Sequence, residues 1–154
     1  MNLTPKIPRG IRNNNPGNLR GACWSKSRTR LNNGFATFDT MHEGLTNLAC
    51  CVWQFYDHLK LNTVAAFVSR YAPASENDLL SYENFMAAWM GFRASDIGSR
   101  DLNLFHSANA QRWIGGIIRI ENGVPPHSVT PRAEWCSGPE ILAAMTESGH
   151  WGAP

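Results

Sequence analysis

The sequence predicts a mainly helical α+β domain, a helical core with one small β-hairpin, and three observations carry that reading. Apolar residues recur at spacings of three and four over several stretches. Only one short stretch alternates with period two around an Asn-Gly turn. Helix start and stop residues (Thr, Asp, Ser, Asn-Gly) bracket the periodic runs. At 154 residues, with 43% apolar composition and six tryptophans, the chain is expected to be a single domain with a real core. Within it, residues 1–8 read as an N-terminal arm and 127–154 as a C-terminal extension with a short helix.

Residues 9–24 read as loop and turn, from Pro8-Arg9-Gly10 through Asn15-Pro16-Gly17. RTRL, then Asn32-Asn33-Gly34, then FATF predict the hairpin. A helix is expected from about Glu43 to Leu59, with Leu45, Leu48, Val52, Phe55 and Leu59 on one apolar face. Thr63 should cap a short helix through Arg70 that buries Val64, Phe67 and Val68. After YAPASEND, a helix capped by Asn77 or Asp78 runs to about Met90 and buries Leu79, Tyr82, Met86 and Trp89. Residues 91–106 are polar and irregular. Ser107 opens the next helix, which Asn122-Gly123 should stop. A last helix is expected around Pro139–Met145.

Composition excludes some functions. No run approaches the ~18 apolar residues of a membrane helix, so membrane insertion is not expected. The segment MNLTPKIPRG lacks the apolar core of a signal peptide. Net charge is only +2, yet residues 1–38 carry Lys6, Arg9, Arg12, Arg20, Lys26, Arg28 and Arg30 and no acid. Such a basic lobe fits an anionic partner as well as it fits a solvated surface. The four cysteines, Cys23, Cys50, Cys51 and Cys136, have no metal-ligand spacing and read as free thiols, with a Cys23–Cys136 pair left open. No metal or cofactor is implied. The histidines His42, His58, His106, His127 and His150 are scattered, and no GxSxG, P-loop, HExxH or GxGxxG is present.

Glu121 is the most informative acid. Its offsets from Ile114, Ile117 and Ile118 place it on their stripe, in the last turn of its helix. Desolvation there and the negative end of the helix dipole would raise its pKa, as a general acid for glycosidic cleavage requires. The competing reading is a helix-end glutamate that reaches solvent past Gly123. Glu43 and Glu76 are secondary candidates. Glu43 sits in a first helical turn, where the dipole lowers a carboxyl pKa, and Glu76 precedes the next helix N-terminus. His127 lies just beyond Glu121 in the same loop. Asn13, Asn14, Asn15 and Asn18 offer donors and acceptors suited to sugar hydroxyl and N-acetyl groups, or they serve the turn itself. Trp24 and Trp135 could stack on pyranose faces.

GIRNNNPGNLR followed by Trp24, then FATFDT with Glu43-Gly44, then YAPASEND with Ser81-Tyr82, then IIRIENG resembles a family of phage and prophage proteins. That family carries a lysozyme-like, lytic-transglycosylase-like domain that degrades peptidoglycan. The resemblance spans roughly residues 9–126, and RNNNPGNLR is its most specific part. IENG at a helix end also resembles the Glu-Ser-Gly of soluble lytic transglycosylases, whose glutamate is the sole catalytic acid/base. The following VPPHSVTPRAEW is reminiscent of the stretch after that glutamate. NNPGNL resembles the Asn-Leu-Phe-Gly segment of bacterial glucosaminidases, where it follows the catalytic helix instead of preceding it. The displaced order is compatible with a circularly permuted lysozyme core.

The resemblance implies that Glu121 is catalytic and that Asn13, Asn14, Asn15 and Asn18 line the cleft. Glu76 and Tyr82 match family positions. The implied function is cleavage of the MurNAc-β-1,4-GlcNAc bond by a lytic transglycosylase or a muramidase. The implied partners are peptidoglycan strands and other virion proteins of a tail or baseplate. The implied location is the virion, or the host cytoplasm before release, with action at the cell wall. Two rivals stand beside it: an inactive structural virion protein of the same fold, and a basic nucleic-acid-binding module.

Overall fold

The computed structural model describes residues 4–75, 77–130 and 132–152. Its elements run α1 (Arg9–Arg12), β1 (Arg30–Asn32), β2 (Phe35–Thr37), α2 (Met41–Trp53), α3 (Val64–Tyr71), α4 (Leu79–Trp89), α5 (Ser107–Asn122) and α6 (Gly138–Ser148). The protein is mainly helical with one antiparallel two-stranded hairpin, as the sequence predicts. No helix of the described residues is long and apolar enough to cross a membrane.

α2 is the central element. Nine consecutive residues, Gly44 to Val52, are buried, so this helix is covered on all sides, not along one stripe. It packs against α5 and α6, and α5 also contacts α1 and α4. The largest fully buried side chains include Trp113, Phe67, Leu48, Met86 and Ile117. Burying a side chain such as Phe67 or Leu48 contributes about 1.5–3 kcal/mol. α6 lies inside the stretch expected as an extension, yet Ile141, Ala144 and Met145 place it in the core. Ser137 and Glu140 form a capping box at its start, and Gly149, with φ of 81°, ends it.

The hairpin register pairs Asn32 with Phe35, and Asn33 and Gly34 take φ values of 51° and 79°. Two consecutive positive φ values are what a two-residue type I′ turn needs. Thr63 and Asp78 cap α3 and α4 by accepting from Ala66 N and Ser81 N. Gly123, with φ of 71°, closes α5.

Three expectations need correction. Residues 9–24 are not all loop, because α1 occupies Arg9–Arg12. The helix from α2 does not keep its phase to Leu59. Gln54–His58 form a wider π-turn, with Leu59 N bonded to Gln54 O. The extra residue in that turn rotates the apolar face, and Leu59 is left 51% exposed. Trp89, expected inside, is 37% exposed, and its Nε1 donates to Arg112 O. The thiols are free, as expected, and Cys23 meets Cys51, not Cys136, the pairing left open.

Candidate active site

The asparagine-rich loop is held by its own amides. Asn15 is fully buried, and its Nδ2 donates to Leu19 O at 2.8 Å and Ala36 O at 2.9 Å while its Oδ1 accepts from Leu19 N at 2.9 Å. Asn14 Nδ2 donates to Phe38 O and Asp39 O. Asn13 O accepts from Phe38 N, and Asn13 Oδ1 from Asn32 Nδ2. These three residues stitch the loop to the hairpin. They do not line the cleft, contrary to expectation: the side-chain amides of Asn14 and Asn15 are taken by backbone groups, and Asn13 is buried against Asn32.

The loop is also clamped between two helices. A Cβ on Gly44 would fall 1.7 Å from Asn14 O, so only glycine lets α2 approach this backbone. At the other side a Cβ on Gly10 would meet Asn122 Oδ1 at 2.5 Å. Asn122 Nδ2 donates to Pro16 O at 2.7 Å, and the Tyr71 hydroxyl donates to Gly17 O. The C-terminal end of α5 is thereby fixed against the loop.

That arrangement brings Asn18 to Glu121. Asn18, at a positive φ of 50°, donates from Nδ2 to Glu121 Oε2 at 2.8 Å. From α4 the Tyr82 hydroxyl donates to Glu121 Oε1 at 3.0 Å. Arg9 Nε reaches Asn18 Oδ1 at 3.5 Å, and its guanidinium lies 3.4 Å over the Phe35 ring. Each carboxylate oxygen thus faces one neutral donor. The Arg9 contact also sets which end of the Asn18 amide points at Glu121.

Glu121 is half-buried and makes no ion pair with a described residue. Burial raises its carboxyl above the usual range, and Asn18, Tyr82 and Arg9 offset part of that rise. Burial, and then the charge of Glu121, push the Tyr82 phenol well above its ordinary value, so it stays a neutral donor. Glu121 opens onto a cleft of about 910 Å3 lined by Arg9, Asn18, Arg20, Phe35, Arg70 and Tyr71 among others.

The remaining candidates lie elsewhere. Glu43 is spent at the start of α2: its carboxylate accepts from the Ser27 hydroxyl at 2.6 Å and from Asp39 N, while Thr40 caps the helix. Glu76 lies outside the described residues. Trp24 is half-buried, its backbone N–H held by Asn47 Oδ1, and it does not line the cleft although Cys23 does. Trp135 donates from Nε1 to Gly123 O and lines a separate cavity of about 260 Å3 with Trp89, Ile118 and Ile141. His127 is exposed and does not line the cleft.

Sequence reasoning missed Tyr82 as a ligand of Glu121 and Arg9 and Arg70 as cleft residues. The one available signal was Tyr82 on a buried helical face, where a phenol needs a hydrogen-bond partner. Nothing in one sequence says that this partner is 39 residues away.

No family model matches the chain. The chain is similar to Protein P5 of Pseudoalteromonas phage PM2. The two are 29% identical over 126 residues, which cover 78% of this chain and 74% of that one.

Proposed function

We propose that this protein is a phage enzyme that cleaves the MurNAc-β-1,4-GlcNAc bond of peptidoglycan, with Glu121 as its only acid/base. One observation carries the reading. Glu121 is a half-buried carboxyl, free of ion pairs with described residues, that opens on a cleft of about 910 Å3 and is held by two neutral donors. A salt-bridged or solvent-exposed glutamate would have stayed ionised and favoured a structural role. A phage relative at 29% identity agrees with the setting.

The chemistry follows from what the two donors favour. Burial lets Glu121 hold a proton, which it gives to the glycosidic oxygen as the bond to the muramoyl C1 breaks. The carboxylate left behind is stabilised by Asn18 Nδ2, the Tyr82 hydroxyl and the field of Arg9. It then takes a proton from the muramoyl 6-hydroxyl, whose oxygen closes on C1 to give the 1,6-anhydro end. Glu121 is the only carboxylate among the described lining residues. A partner carboxylate, as two-acid hydrolases use, is therefore not part of this proposal.

The enzyme would work on the wall from a virion or after release from the host cell, with glycan strands and neighbouring virion proteins as its partners. Dye-labelled sacculi test the reading. The wild-type protein should release dye and Glu121→Gln should not. Equal release by both would remove Glu121 from the chemistry. No release by either would favour the inactive virion protein, and salt-sensitive binding to nucleic acid instead of sacculi would favour the nucleic-acid module.

A further inference from the structure

We infer that the cleft onto which Glu121 opens carries a carboxylate-recognising subsite centred on Arg70, so that the substrate must be an anionic glycan with free carboxylates on its muramoyl residues or their stem peptides. This rests on the glycosidase reading above.

Three arginines line the cleft, Arg9, Arg20 and Arg70, each from a different segment. Glu121 is the only acid among the described lining residues, and its oxygens are already occupied by Asn18 and Tyr82. That carboxylate meets Asn18, Tyr82 and the field of Arg9, and it makes no ion pair with Arg70. Arg9 is held over the Phe35 ring and against Asn18, which fixes its place beside the reacting end. Arg20 is seated over the other part of the same ring, 4.4 Å from its centroid.

Arg70 differs from both. It is exposed in the last turn of α3 and makes no hydrogen bond or ion pair with a described residue. The next residue, Tyr71, ties α3 to the loop through Gly17 O, so the helix end that bears Arg70 is anchored to the segment that holds Asn18. The result is a fixed backbone carrying a guanidinium with five donors to offer.

A guanidinium fork matches a carboxylate with two parallel hydrogen bonds and gains little from a sugar hydroxyl. Muramoyl residues present such groups, either as the stem-peptide carboxylates or as a free lactyl carboxylate. A neutral chitin chain presents none. The two carboxylate sources share one chemistry, and stripping the stems distinguishes them. The competing role for Arg70, compensation of the α3 dipole, would stabilise the helix without touching substrate.

The experiment compares wild type, Arg70→Gln and Arg70→Lys on native sacculi, on sacculi whose carboxyl groups have been amidated, and on sacculi stripped of stem peptides by an amidase. On native sacculi Arg70→Gln should lower kcat/KM about tenfold, mainly through KM, as expected for one charge-assisted pair. Arg70→Lys should recover part of this. On amidated sacculi wild type and Arg70→Gln should be equally poor. Stripping removes the stem carboxylates and frees the lactyl ones: if stripped sacculi behave like amidated ones, only stem carboxylates are read, and if they behave like native ones, the subsite also accepts the lactyl carboxylate.

Equal cleavage of native sacculi by wild type and Arg70→Gln would overturn the subsite. So would an Arg70→Gln defect of the same size on amidated sacculi, which would mark a structural role. If no variant cleaves any sacculi, the glycosidase reading fails. Co-sedimentation then decides the subsite by itself. Pelleting with native but not amidated sacculi, lost in Arg70→Gln, supports it, and any other pattern overturns it.

Discussion

Two regions that the sequence offers to sugar, one around Glu121 and one around Trp135, differ in the structure. Where α5 ends, Glu121 meets Asn18 and Tyr82 in an open cleft flanked by arginines. One turn away, Ile118 and Gly115 face a smaller cavity with Trp89 and Trp135, both of whose indole N–H groups are spent on carbonyls of the chain. The first region aims polar atoms into empty space, and the second uses its polar atoms to close its own walls. Aromatic residues near a candidate acid are therefore weak guides to a site, and neutral donors converging on a half-buried carboxyl are stronger ones.

The comparison breaks most visibly at Glu121. Replacing it with glutamine should reduce sacculus cleavage by about 10³-fold, the scale of a lost general acid/base, with an unchanged far-ultraviolet circular dichroism spectrum. The same measurement on Trp135→Ala should show wild-type cleavage, because Trp135 belongs to the other cavity. A defect as large as that of Glu121→Gln would join the two regions into one site.

Asparagines of the loop should separate by role. Asn15→Ala removes three buried hydrogen bonds and should cost roughly 3 kcal/mol in urea unfolding. Asn18→Ala should cost less, about 1 kcal/mol for alanine at a positive φ, and lower cleavage well beyond that. If Asn15→Ala folds as well as wild type, the loop is not stitched as described.

Tyr82→Phe tests the clamp more finely. The variant loses a donor that stabilises the carboxylate, so the Glu121 pKa should rise further. A general acid is active while protonated, and activity falls as pH passes upward through its pKa. The alkaline limb of the pH–rate profile should therefore move to higher pH, with kcat reduced roughly tenfold from the weaker acid. An alkaline limb that stays in place would detach Tyr82 from Glu121.

The smallest effect concerns stability. The folded carboxyl of Glu121 holds its proton more tightly than the unfolded one. The wild-type protein thus loses stability as pH rises through the ordinary carboxylate range to the raised value. Glu121→Gln has no such group, so its melting temperature should gain on wild type from acid to neutral pH. A difference that shrinks over that range would mean the carboxyl pKa is lowered, not raised.

Sequence pattern reached the parts of this protein that depend on local chemistry. Thr63, Asp78 and Ser137 cap helices through contacts three residues away, and the Asn33-Gly34 turn rests on two positive φ values. Glu121 was legible for the same reason, since its place on the isoleucine stripe is a matter of helical phase. The wide turn at Gln54–His58 was not, because one extra residue in a turn leaves no mark on the apolar pattern before it. Nor were the roles of the asparagines. Asn13, Asn14 and Asn15 bind backbone groups up to 25 residues away, and Asn18 reaches 103 residues to Glu121. Four identical amides in one segment carry no local difference that would separate scaffold from site.

Mass spectrometry of the soluble products from purified sacculi tests the central claim most directly, that one carboxyl performs both proton transfers. The account predicts 1,6-anhydro-muropeptides from the wild-type protein and none from Glu121→Gln. Reducing-end muropeptides would contradict it by placing water where the 6-hydroxyl should attack, and an absence of products would contradict the glycosidase itself.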